Sequence, residues 1–189
     1  MEYFAAISIP FFILMITGPW LIKFLKRINF GQQIRKEGPQ SHLQKEGIPT
    51  MGGVLIILGI LVSSLFLNMN KNLFVVLLTT LGMGLVGFLD DLIKIKTKKS
   101  LGLKAKTKMI GQFIFATLLS LYVYNNPEIA NGILVPFTGE TINLGIMIIP
   151  LVIFTTVGAA NAVNLTDGLD GLAGGVTAVV ASSYAVITS

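Results

Sequence analysis

The chain has 189 residues, of which 53% are hydrophobic and only 12% charged, with a net charge of +5 and a mean hydropathy of +0.78. Soluble domains carry about 25% charged residues. The composition therefore excludes a disordered chain, which would be poor in apolar residues, and argues against a soluble globule, which could not hide this much apolar surface.

What remains is an all-α polytopic integral membrane protein, because a helix satisfies its own backbone groups in lipid. At roughly 20 residues per span, the apolar runs predict one membrane domain with transmembrane helices at 3–25, 51–68, 73–91, 109–124, 144–164 and 172–189. The first run is closed by Lys23, Lys26 and Arg27, so its basic residues follow the apolar stretch, unlike a secretory signal. Pro10, Pro19 and Pro150 fall within or at the ends of spans. Such prolines are tolerated where neighbouring groups satisfy the carbonyls they free. There is no cysteine, hence no disulfide framework and no thiolate metal site.

Orientation follows from the basic residues. Thirteen of the fourteen Lys and Arg lie in or beside the loops 26–50 and 92–108, and only Lys71 lies on the other side. The positive-inside rule makes the two loops, and the turn 165–171, cytoplasmic and puts the N-terminus outside. Residues 125–143 are then also outside, and Pro127, Pro136 and Gly139 allow a short hairpin near 133–143.

All four aspartates fall on the cytoplasmic side: Asp90 and Asp91 at the end of the third span, Asp167 and Asp170 in the turn between the fifth and sixth. Ionisable groups at a membrane are costly and mark functional sites. Asp90 and Asp91 read either as a solvated helix end or as a site for a divalent metal and phosphate chemistry. Adjacent carboxylates repel unless a cation lies between them, and hard oxygen ligands suit Mg²⁺. Lys94 follows by three and four residues, so on a continuing helix it faces both acids. Asn161, Asn164, Asp167 and Asp170 recur every three residues, along one helical face. They can cap helix ends, with Gly168 or Gly171 breaking the fifth span, or offer donors and acceptors to a nucleobase and sugar.

Two weaker signals were weighed. Gly82-Met83-Gly84-Leu85-Val86-Gly87 matches a dinucleotide-binding string, but it lies inside an apolar span, where small residues serve helix packing instead. His42, the single histidine, sits in a Pro- and Gly-rich loop and by itself reads as a loop residue.

Three ordered segments carry a resemblance: Ser41-His42 through Lys45 to Pro49-Thr50-Met51-Gly52-Gly53, then Gly87-Phe88-Leu89-Asp90-Asp91 through Lys94, then Asn161 to Gly175. In this order they resemble the polyprenyl-phosphate N-acetylhexosamine-1-phosphate transferases, and within them the phospho-N-acetylmuramoyl-pentapeptide-transferase family. The resemblance implies transfer of phospho-MurNAc-pentapeptide from UDP-MurNAc-pentapeptide to undecaprenyl phosphate, giving lipid I and UMP for peptidoglycan synthesis. It implies Mg²⁺ as cofactor, the bacterial cytoplasmic membrane as location, and allows a homodimer. No nucleic acid is expected. By similarity Asp90, Asp91 and Asp167 are the catalytic and metal-binding acids, with Asp90 the acceptor of the lipid phosphate's proton. His42, Lys45, Thr50, Lys94, Lys98, Lys106, Asn161, Asn164 and Asp170 are the expected substrate contacts.

A direct attack by the lipid phosphate and a two-step route through a phospho-sugar aspartate are both open. The resemblance departs in length: the six spans correspond to the first part of a ten-helix fold, and a later Gly-Asp-x-Gly-Ser segment and a histidine cluster have no counterpart here. The chain is accordingly expected to be an N-terminal portion without full activity alone. A UDP-GlcNAc-using relative, a transporter fragment and a non-catalytic scaffold are the alternative readings.

Overall fold

The computed structural model describes residues 2–27, 51–97, 102–127, 129, 132–135, 138–167 and 171–187. Among them are six helices: α1 (Glu2–Arg27), α2 (Gly53–Ser64), α3 (Lys71–Thr97), α4 (Ala105–Asn125), α5 (Ile148–Thr166) and α6 (Leu172–Ile187). Two three-residue strands, β1 (Gly132–Leu134) and β2 (Thr141–Asn143), pair antiparallel with Ile133 opposite Ile142. The protein is an all-α polytopic membrane protein with this one small ribbon. α1, α3 and the stretch Gly145–Thr166 are each long and apolar enough to cross a membrane.

Helix boundaries differ from the sequence reading at two places that matter. The second apolar stretch is helical only over Gly53–Ser64, about 18 Å at 1.5 Å per residue, well short of a hydrocarbon core. The third does not stop at the aspartates but continues to Thr97. That last part carries half-buried Leu92, Ile93 and Ile95, and local bonds support it as well, from Lys94 back to Asp90 and Asp91 and from Thr97 Oγ1 to the Ile93 carbonyl.

The chain forms two compact units, Met1–Leu119 and Ser120–Ser189. In the first, the helices approach through glycines. Leu14 of α1 lies over Gly59 of α2, and Ile57 of α2 over Gly84 of α3. Phe115 of α4 lies over Gly82 of α3, and Val86 of α3 over Gly111 of α4. A Cβ at Gly59 would stand 2.7 Å from Leu14 Cδ1, and one at Gly111 2.8 Å from Val86 Cγ2. This is small-residue packing of membrane helices, the role expected for Gly82 and Gly84; Gly87 faces open space. Pro10 cannot bond the carbonyl of Ala6, four residues back. The hydroxyl of Ser63 on α2 donates to that carbonyl at 2.7 Å instead.

The second unit holds the ribbon, a 3₁₀ turn at Gly145–Met147, α5 and α6. Thr155, Asn161, Thr166, Ser182 and Ser183 each donate to the carbonyl four residues back on their own helix. Gly171, with φ of +79°, makes the left-handed turn that starts α6. This agrees with Gly171 as a breaker between the two helices. The expected Asp170 cap lies outside the described residues, as does Gly168.

Candidate functional site

The buried stripe of α3 runs Gly82, Val86, Asp90 at a spacing of four, one face of a helix. Phe115 and Gly111 of α4 meet its first two members. Four residues on from Val86 and three back from Gly111, Asp90 and Lys108 form the next rung of this antiparallel pair. The Lys108 Nζ lies 3.9 Å from Asp90 Oδ2. Asp90 is thus buried because it occupies a position that packing would otherwise give to an apolar residue; only 7% of it is exposed.

A carboxylate in such a place needs partners, and each Asp90 oxygen has them. Oδ2 accepts from Lys94 Nζ at 2.7 Å, and Oδ1 accepts the Leu103 N–H at 2.8 Å. Lys94 also donates to Asp91 Oδ1 at 3.0 Å, so a single ammonium bridges both acids. This is the facing expected from the i,i+3 and i,i+4 spacing. The side chain of Asp91 is 29% exposed. Gly102 closes the site from the connection between α3 and α4: a Cβ there would collide with Asp90 Oδ1.

The sequence reading had singled out Asp90, Asp91 and Lys94, and the fold brings them together. It had not singled out Lys108, Gly102 or the Leu103 amide. Lys108 was legible in principle, because period-four stripes on two helices joined by a short connection predict the rung. The Leu103 amide carried no side-chain signal at all.

Lys106 stands on the first turn of α4, exposed, at one end of an open apolar face of that helix. Met109, Ile110, Phe113 and Ile114 form this face, which continues to Thr117 and Leu118. His42, Lys45, Thr50 and Lys98 lie outside the described residues. Next to Thr50, buried Met51 has φ of +72°. Such a left-handed conformation costs a non-glycine residue roughly 1–2 kcal/mol, so the entry into α2 is tightly shaped.

In the second unit Asn161 and Asn164 lie on the last turns of α5, and exposed Asp167 is its C-cap, with its backbone N–H bonded to the Val163 carbonyl at 3.1 Å. Asp170 is outside the described residues. No group of three His, Cys, Asp or Glu able to hold a metal occurs among the described residues.

Comparison with known proteins shows the family to which the chain is similar. Residues 73–189 match the family described as glycosyl transferase family 4. Residues 45–57 match phospho-N-acetylmuramoyl-pentapeptide-transferase signature 1. The chain is similar to proteins of that name from several bacteria. The protein of Halalkalibacterium halodurans is 47% identical over 184 residues, 95% of this chain and 56% of the relative. That of Clostridioides difficile is 46% identical over 182 residues, 96% of this chain and 56% of the relative. That of Bacillus subtilis is 46% identical over 186 residues, 96% of this chain and 57% of the relative. The chain therefore spans a little over half the length of the curated relatives it matches.

Proposed function

The chain belongs to glycosyl transferase family 4, and from that premise we propose that it carries part of a phospho-sugar transferase site at the cytoplasmic face of the bacterial inner membrane. The substrates are UDP-MurNAc-pentapeptide and undecaprenyl phosphate, the products lipid I and UMP. The observation that carries this is the cluster at the end of a long apolar helix: two adjacent carboxylates bridged by Lys94, with Lys108 beside them. Phosphoryl transfer is mostly positioning and charge neutralisation, and this cluster supplies both at the depth of a lipid headgroup. The signature match over 45–57 favours the muramoyl donor over UDP-GlcNAc.

In this reading the lipid phosphate oxygen attacks the β-phosphorus of the donor. A P–O bond forms there as the bond to the bridging oxygen breaks, and UMP leaves. Asp90 takes the proton of the lipid phosphate. Lys94 and Lys108 offset the negative charge that gathers on the phosphates. Lys106 contacts the lipid phosphate while isoprenoid units lie along the exposed apolar face of α4 behind it. Asn161, Asn164, Asp167 and Asp170 hold the uridine and sugar, and His42, Lys45, Thr50 and Lys98 complete the donor contacts.

The donor set fits an Mg²⁺ ion that keeps most of its waters. Asp91 Oδ2 has no partner among the described residues, and Mg²⁺ commonly binds through one or two carboxylates plus substrate phosphates. Asp91 would hold it, with the edge of Asp90 as a further oxygen. When bound, the ion would polarise the pyrophosphate and stabilise the leaving UMP.

The test is UMP release by membranes containing the polypeptide as its gene encodes it. Release should require undecaprenyl phosphate and UDP-MurNAc-pentapeptide, stop with a chelator and return with Mg²⁺. Consumption of UDP-GlcNAc in its place would overturn the donor assignment.

A further inference from the structure

We propose that Gly102 and the Leu103 amide form a positioning element that locks the Asp90 carboxylate in its working orientation. This rests on the functional reading above and assigns a role to residues outside the expected site.

Three observations carry it. Asp90 is nearly fully buried on a stripe otherwise made of Gly82 and Val86, so its orientation is set by the few groups that reach it. The Leu103 N–H pins Oδ1 at 2.8 Å, and among the described residues it is the one backbone group that Asp90's carboxylate is seen to bond. It cannot swing away to follow a substrate phosphate, as Lys94 and Lys108 can. Gly102 permits the bond: a Cβ at this position would strike Asp90 Oδ1 and stand 2.5 Å from the Asp90 backbone carbonyl oxygen. The backbone can come this close only where there is no side chain. When Lys94 turns to a bound phosphate, the Leu103 amide is what keeps Asp90 from following it.

Gly102→Ala should push the connection off Asp90 and release Oδ1. Misplacing a reacting group by about 1 Å costs on the order of 100-fold in rate. The expected kinetic result is a kcat reduced about 100-fold with KM for the UDP-sugar within about twofold, because ground-state binding is untouched. Insertion level should match the parent, and the thermal midpoint should fall about as far as in Gly82→Ala, whose new methyl also meets a packed neighbour but lies away from Asp90. Gly87→Ala, whose Cβ meets open space, should leave kcat unchanged. An unchanged kcat in Gly102→Ala would overturn the proposal, and so would an equal fall in kcat in the comparably destabilised Gly82→Ala.

A second measurement does not depend on turnover. Carbodiimide with an amine nucleophile, read by mass spectrometry, should label Asp91 and spare Asp90 in the parent. In Gly102→Ala both should be labelled. Equal labelling of Asp90 in parent and variant would overturn the locking role, even if the parent releases no UMP. The latter result alone would sink the functional reading and leave the labelling to decide the inference.

Discussion

The two units solve the same problem, polar groups in an apolar chain, in different ways. In residues 1–119 Thr17, Thr79, Thr80 and Thr97 turn back on their own helices, but three further groups reach across the fold: Ser63 to Ala6, Leu103 to Asp90, Lys108 to Asp90. In residues 120–189 hydroxyls and the Asn161 amide turn back on their own helices, Asp167 is exposed, and α6 buries no residue. The first acid cluster is thus organised before any ligand arrives, whereas Asp167, the described acid of the second, faces outward. A pre-organised charge acts on the transition state, because no reorganisation is needed as the reaction proceeds. An outward-facing one contributes mainly to binding.

That contrast breaks most easily at the aspartates. Asp90→Asn and Asp91→Asn, in the polypeptide as its gene encodes it, should each lower kcat by about 10²–10³-fold, the order seen when one pre-organised electrostatic group is removed. Asp167→Asn should act mainly through KM for the UDP-sugar, by about tenfold. Steady-state kinetics with both substrates varied checks this. A kcat loss at Asp167 as large as at Asp90 would erase the distinction between the two clusters.

The lysines sharpen it within the first cluster. Lys94 makes contacts of 2.7 and 3.0 Å with two acids, whereas Lys108 stands 3.9 Å from one. Charge-assisted bonds lie near 2.7–2.9 Å, so Lys108 acts as a field and Lys94 as a bond. Lys94→Met should cost about 100-fold in kcat, since two adjacent carboxylates lose the cation between them. Lys108→Met should cost about threefold, the scale of a weak ion pair. Both effects are read in the same UMP-release assay.

What could be read in the sequence, and what could not, follows the same line. The Asp90, Asp91, Lys94 grouping lies within one helix turn, so spacing alone exposed it. Gly82 and Gly84 were legible as packing residues because they lie inside an apolar span, whereas Gly87 of the same string meets nothing. The length of α2 was not, since an apolar run does not say where lipid-facing helix gives way to turn. The clasp from Leu103 comes from a backbone group thirteen residues away and leaves no mark in residue type. Gly102 marks it only once the approach of the chain to Asp90 is known.

Packing gives a smaller effect that separates glycines of one string. Gly82→Ala drives a methyl into Phe115, whereas Gly87→Ala meets nothing. Overpacking costs about 1–3 kcal/mol, so Gly82→Ala should lower the thermal midpoint in detergent and Gly87→Ala should not. Gly158→Ala in the second unit also meets open space and should be silent. Phe115→Leu added to Gly82→Ala should recover part of the loss, because the branched chain can withdraw from the new methyl.

The smallest effect tests the cross-helix bond that distinguishes the first unit. Ser63 donates to the carbonyl of Ala6 only because Pro10 leaves it without its helical donor. Interhelical hydrogen bonds in membranes contribute about 0.6 kcal/mol on average and at most about 2, so Ser63→Ala should lower stability by about 1 kcal/mol. Pro10→Ala restores an N–H that can reach Ala6, and in that background the loss from Ser63→Ala should shrink. A thermal-unfolding cycle of the two single variants and the double variant measures the coupling. Full additivity would mean that Ser63 acts through something other than the freed carbonyl. Pro150 provides the control from the second unit. It is the third residue of α5, where a helix leaves its N–H groups without intrahelical partners, so Pro150→Ala should change little and couple to no neighbouring hydroxyl.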